Sequence, residues 1–103
     1  MPGYTCMWEF FVIPGRAEEF VRHYSSEGTW AALFRRAPGF VETALLRDRM
    51  NPRRFLTIDR WRSIEAFHAF KEAFAEDYAE LDRRCADLTT EERFLGSYEE
   101  GGA

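Results

Sequence analysis

Asp59 lies in the run Phe55-Leu56-Thr57-Ile58-Asp59-Arg60-Trp61, a carboxylate among apolar residues. Burial disfavours the charge of such a group and raises its pKa toward neutrality, where a carboxylate serves as a base. The competing placements are a solvent-facing carboxylate or an ion pair with Arg60 or, across a hairpin, with Arg47. His23 is a second candidate base, because imidazole changes charge near neutral pH. It stands at the flank of one apolar helical stripe and His68 beside another, so both also read as boundary residues. Trp8, Tyr24, Trp30 and Tyr78 carry large rings with polar tips that need partners when buried, which makes them candidates for a pocket wall; plain core packing is the alternative. Cys6 and Cys85 are far apart and match no metal-ligand spacing, and no cluster of His, Cys, Asp or Glu does so. The sequence therefore predicts no metal and no cofactor, and it has no glycine-rich phosphate loop.

The elements that must position these residues come from a chain of 103 residues, enough for one domain with one core. Apolar residues make up 46% and aromatic residues 17%, with ten Phe and three Trp. That is more ring than one small core needs, and the surplus is expected in a pocket or an interface. The net charge of −4 disfavours nucleic acid and anionic membranes as partners. The basic cluster Arg47, Arg49, Arg53, Arg54 around Asn51-Pro52 reads as a solvated hairpin tip. No apolar run approaches the roughly 20 residues of a membrane span, no signal peptide is recognisable, and both cysteines are expected as buried free thiols. The expected location is cytoplasmic.

Tyr4 to Ile13 reads as a first strand with two largely apolar faces, Tyr4, Cys6, Trp8, Phe10 and Val12 on one and Thr5, Met7, Glu9, Phe11 and Ile13 on the other. Pro14-Gly15 ends it, and a helix begins near Arg16 with Phe20, Val21 and Tyr24 inward. Ser25 to Gly28 interrupts that helix before a short piece carrying Trp30, Leu33 and Phe34. Phe40–Asp48 and Arg53–Trp61 form a hairpin through Arg49 to Pro52. Ser63 is the expected N-cap of a second helix, with Glu65 in its first turn. Phe67, Phe70, Phe74, Tyr78, Leu81, Cys85 and Leu88 recur at helical period, bordered by Ala66, Ala69 and Ala73. Thr89-Thr90 is expected to end that helix, Arg93 to Glu99 to form a fourth strand, and Gly101 to Ala103 to fray. The order βαββαβ predicts an α+β domain: a four-stranded antiparallel sheet with two helices on one face. The apolar side chains left on the other face predict a homodimer through that face.

The runs Trp8-Glu9-Phe10 before Pro14-Gly15, Gly28-Thr29-Trp30, Pro38-Gly39-Phe40 and Asp59-Arg60-Trp61, followed by Phe67 and Phe70, resemble the antibiotic biosynthesis monooxygenase (ABM) domain. The resemblance covers residues 4 to 99 of a single domain, 1–103. It implies a ferredoxin-like fold and a dimeric α+β barrel. It also implies a monooxygenase acting without a cofactor on a planar aromatic or polyketide-like molecule, with Asp59 or His23 as base and Trp30 and Tyr78 positioning the ring. Two alternatives accompany it. One is a non-catalytic ligand-binding or structural dimer, favoured by the scarcity of amides: Asn51, in the hairpin, is the sole Asn, and there is no Gln. The other is haem degradation. The positions where that branch carries a strand Asn, a helical Trp and an axial His fall on Trp8, Phe70 and Glu80, and Tyr78 nearby is a residue type able to bind ferric iron.

Overall fold

In the computed structural model, which describes residues 2–101, nine β-forming residues follow Gly3 without interruption. Strand β1 (Tyr4–Val12) is paired on both sides, antiparallel to β3 (Arg54–Trp61) and to β4 (Thr89–Glu99). Strand β2 (Phe40–Arg47) pairs with β3 at the sheet edge, giving the order β2-β3-β1-β4. This is the expected ferredoxin-like antiparallel sheet. Of the terminal residues expected to fray, Gly101 is exposed, and positions 102 and 103 lie outside the described residues.

The helices cover one face of the sheet. Each of the two expected helices is divided in two. The first consists of α1 (Ala17–Tyr24) and α2 (Thr29–Phe34), parted at the expected Ser25 to Gly28 segment. A Cβ at Gly28 would lie 2.7 Å from the carbonyl oxygen of Arg22 and 2.8 Å from that of His23, so only glycine allows α2 to start so tightly against the end of α1. The second helix starts where expected, the Ser63 hydroxyl accepting from the Ala66 amide at 3.1 Å. It then breaks at Phe74, whose backbone (φ −117°, ψ 27°) separates α3 (Ile64–Ala73) from α4 (Ala75–Cys85). Neither Pro nor Gly marks this break in the sequence. A 3₁₀ turn over Ala86–Leu88 follows, and β4 begins at Thr89, four residues before its expected start at Arg93.

Alternation along the strands sends Tyr4, Cys6, Trp8, Phe10 and Val12 toward the helices, as expected, together with Phe55, Thr57, Asp59 and Trp61 of β3. The core is a continuous assembly of rings. Phe20 and Tyr24 stack at 4.1 Å, Phe10 meets both, and Phe34 reaches Trp61 and Phe70. Phe70 is the centre of the α3 stripe and is 1% exposed. Phe74 is half-buried at the margin, stacked on Phe70 at 5.6 Å with the Arg36 guanidinium 4.9 Å above it.

The other sheet face is open. Met7, Phe11, Leu56 and Ile58 are half-buried there, while Leu46 and Tyr98 are exposed. Glu9 is the buried charge among them, at 4% exposure. It is covered by the guanidiniums of Arg54 (2.7 Å) and Arg93 (2.8 Å), and by no great depth of protein. The Arg54 hydrogen bond above all holds its carboxyl below the usual range. No helix among the described residues is long and apolar enough to cross a membrane.

Removing a fully buried ring costs about 3–5 kcal/mol, so Phe70→Ala should destabilise by that amount. Phe74→Ala, at the core margin, should cost roughly half as much. Denaturant melts of the two variants check the order; equal losses would mean that the break at Phe74 does not relieve its packing.

Candidate active site

Four strands and three helices bring their inner faces to one cleft. β1, β2, β3 and β4 supply Trp8, Thr43, Asp59 and Glu92; α1, α2 and α4 supply Tyr24, Trp30 and Tyr78. The cleft has an empty volume of ≈ 410 Å³, mouth included, and narrows between the rings. Trp30 meets Tyr78 edge-on at 5.0 Å and lies 6.1 Å from Tyr24.

Asp59 lines the cleft from β3. Its cross-strand neighbour in β2 is Thr43, whose hydroxyl donates to Asp59 Oδ1 at 2.8 Å. Arg60, the next residue, points to the opposite face and pairs with Glu42, and Arg47 lies over the Phe55 ring. Neither arginine that could have neutralised Asp59 does so. Asp59 keeps slight exposure because it borders the cleft, but protein crowds it elsewhere, and that crowding governs its ionisation. Burial raises its pKa to about 6, the Thr43 hydrogen bond offsetting part of the effect. A carboxylate so placed is ionised at neutral pH and basic enough to take a proton from an acidic hydroxyl.

The phenols of the cleft are donors. Burial pushes the Tyr78 phenol up to about 12 and the Tyr24 phenol further, so both remain protonated at neutral pH. Trp30 Nε1 is buried without a hydrogen-bond partner among the described residues. The Tyr24 hydroxyl and the Cys85 thiol are close enough to Trp30 to affect each other's ionisation, but neither meets Nε1 in hydrogen-bond geometry. A buried donor left open costs free energy. Asp82 and Glu92 stand at the mouth; burial first, then Asp82, raises the Glu92 carboxyl above its ordinary value.

On the far side of Trp8 and Tyr78 is a second, wider cleft, bounded by Phe67, Phe94, Lys71 and Cys6 and reaching Asp59 from the other direction. Its empty volume is ≈ 740 Å³, mouth included. Burial raises the Cys6 thiol, and both cysteines are buried and free.

Trp8, Tyr24, Trp30, Tyr78 and Asp59 thus share one cleft. His23 lines neither cleft: its Nδ1 contacts the Thr29 hydroxyl at 2.9 Å, and burial followed by Arg84 lowers its pKa. His68 is exposed beside Phe67. Asn51 is held in its own turn, its side-chain oxygen accepting from the Arg53 amide. Of the positions that haem binding would use, Phe70 is core and Glu80 faces solvent, paired with Arg83 at 2.7 Å. No step through haem is therefore derived. Sequence reasoning missed Thr43, Glu92 and Lys71. Lys71 was discoverable: with Phe67 and Tyr78 it repeats at i, i+4 and i+11, one face of a helix.

The fold is that of a ferredoxin-like α+β domain with a ring-lined cleft. The antibiotic biosynthesis monooxygenase (ABM) family model matches residues 3–80, and the chain belongs to that family. No curated protein sequence matches it. Among solved structures, one form of SnoaB, a cofactor-independent oxygenase from Streptomyces nogalater, is 27% identical with a TM-score of 0.70, over 100% of this chain and 97% of the other. A Bordetella bronchiseptica protein is 21% identical with a TM-score of 0.73, over 100% and 99% of the two chains. A Pseudomonas aeruginosa protein is 20% identical with a TM-score of 0.71, over 99% and 97%. The latter two share the fold.

A raised carboxyl pKa means that the folded state holds the proton more tightly than the unfolded chain. The associated stability is present below the unfolded value of 3.8 and is lost as pH rises through about 6. A shift of this size corresponds to about 3 kcal/mol. Asp59→Asn should therefore be more stable than wild type at pH 8, by up to about 3 kcal/mol, with the gap closing toward pH 4. Paired melts at the two pH values check this; a constant gap would mean that Asp59 is not desolvated.

Proposed function

We propose that the chain is a homodimeric monooxygenase that oxidises a planar hydroxyaromatic molecule, of hydroquinone or naphthol type, without a cofactor. The observation that carries this reading is Asp59: a desolvated carboxylate with no cation beside it, poised to titrate near pH 6 in a cleft of rings. Family membership and the likeness to SnoaB support it. Asp59 takes the proton of the aromatic hydroxyl. The electron pair of the resulting anion goes to dioxygen, and a carbon–oxygen bond forms at a ring carbon that bears hydrogen. The peroxide takes back the proton held by Asp59 to become a hydroperoxide, whose loss of water carries off that ring hydrogen. Loss of water leaves a quinone, so the substrate is the reductant and no other is required. Trp30 Nε1 and the two phenols are the donors available to oxygen atoms that gain charge. Tyr78 and Trp30 hold the ring.

The open sheet face supports dimerisation. Its apolar residues would be covered by the same face of a second copy, with the Glu9–Arg54–Arg93 cluster near the middle. The lack of an amide side chain on the cleft walls, among the described residues, favours a second reading in which the same pocket binds a ligand without turnover.

Oxygen uptake with a panel of hydroquinones and naphthols separates the two readings. Catalysis should rise with pH through about 6 as Asp59 loses its proton, and Asp59→Asn should lower kcat by about 10²–10⁴-fold. Binding without oxygen uptake would establish the second reading. In sedimentation the wild type should run at twice 12.1 kDa, and Ile58→Asp should shift it to the monomer. A wild-type monomer at micromolar concentration would refute the dimer.

A further inference from the structure

We propose that the second cleft is a subsite for a planar aromatic carboxylate, with Lys71 as the residue that selects for the negative charge. This deepens the reading of the site as one for flat aromatic molecules and rests on it for the ligand's shape, but not for turnover.

Three features of the cleft carry the assignment. Its walls are the ring faces and edges of Trp8, Tyr78, Phe67 and Phe94, and Phe94, packed on Trp8 at 5.0 Å, remains 48% exposed although it lies on the sheet face that the helices cover. An exposed ring beside an open apolar space is a surface that a flat ligand would cover. The second feature is charge. Lys71 is the cation bordering this cleft, and it forms no ion pair among the described residues. Its ammonium is nevertheless held in place, 3.6 Å from the centroid of the Tyr78 ring and in the last turn of α3, where a helix favours positive charge. It is an ordered, uncompensated charge at the rim of an apolar slot. The third feature is polarity along the slot. Asp59 and Lys71 both line this cleft, the first largely buried and the second exposed, so an anionic group is repelled from the buried part and drawn outward. A ligand is thereby oriented with its carboxylate at Lys71 and its ring inward, its far edge toward Asp59.

The first cleft has the opposite character. Asp82 and Glu92 flank its mouth, so an anion is disfavoured there. With a whole-chain charge of −4, attraction of an anion has to be local, and Lys71 supplies it.

Calorimetric titration of the full chain under nitrogen, with naphthalene carboxylate and the uncharged naphthalene carboxamide as paired probes, tests the assignment. Wild type should bind the carboxylate about five- to tenfold more tightly than the amide, the ratio expected of one partly desolvated ion pair, and added salt should narrow the difference. Lys71→Met should abolish the preference, and Lys71→Arg should keep it. A preference that survives Lys71→Met, equal affinity in wild type, or no binding of either probe overturns the proposal. Turnover is judged separately. Charge discrimination through Lys71 in a protein that never consumes oxygen would leave this subsite standing and remove the oxygenase; oxygen consumption without discrimination would do the reverse.

Discussion

A carboxylate inside a wall of aromatic rings is a costly placement, and the hydrogen bond from Thr43 to Asp59 is what makes it tolerable here. The bond crosses from the edge strand β2 to β3, so it depends on the register of the hairpin and therefore on the Asp48 and Asn51 turn that sets that register. A slip of one residue would turn Asp59 to the open face, within reach of arginines, and make it an ordinary surface acid. The sheet thus does more than carry the core. It keeps one acid away from the fourteen cationic side chains that would otherwise neutralise it.

The rings explain why a space exists next to that acid. Aliphatic side chains interdigitate closely, whereas rigid plates meeting at an angle leave wedges between them. Trp30 and Tyr78 meet edge to face, Phe34 and Phe70 likewise, and the wedges run together into clefts. The two helix breaks act in the same direction. Gly28 seats α2 against the end of α1, and Phe74 turns α4 relative to α3, so four short rods cover a twisted sheet that two straight ones would cover less evenly.

Much of the fold was legible in the sequence because its signals are local: the ring-rich strand ended by Pro14-Gly15, the Ser63 cap, the interruption before Thr29, the hairpin. The face of Asp59 was not, because β3 is apolar on both sides; Leu56 and Ile58 face outward, Phe55 and Trp61 inward, and alternation then has no polar side to mark. The break at Phe74 was hidden for a related reason. The stripe keeps its spacing through it, since the backbone bonds from Phe74 to Phe70 and from Tyr78 to Phe74 survive. Strand β4 was read short because Thr-Thr-Glu-Glu-Arg looks like a solvated loop, yet its pairing with β1 places Glu92 and Phe94 beside the clefts. The four pocket rings were found from their polar tips alone. The second cleft was not, although Lys71 shares a helix face with Phe67 and Tyr78, because Phe94 reaches it only through the pairing of β4 with β1.

Strand β4 carries two residues without a partner in β1, Thr90 and Leu95, of which Leu95 interrupts its middle. Its register against β1 slips between Phe94 and Gly96, where the backbone takes φ 145°, a value suited to glycine. Before the slip, Glu92 and Phe94 face the helices; after it, the alternation restarts, so that Ser97 and Glu99 do so and Tyr98 looks away. The two halves of the strand are thereby out of phase. For the gene this sets a rule of parity: losing the single codon for Leu95 would straighten the strand and leave Phe94 and Ser97 on the faces they now hold, whereas losing Leu95 and Gly96 together would exchange inside for outside along one half. Length variation among descendants of this chain should therefore be filtered here as a single-residue step, by geometry and before any selection on chemistry.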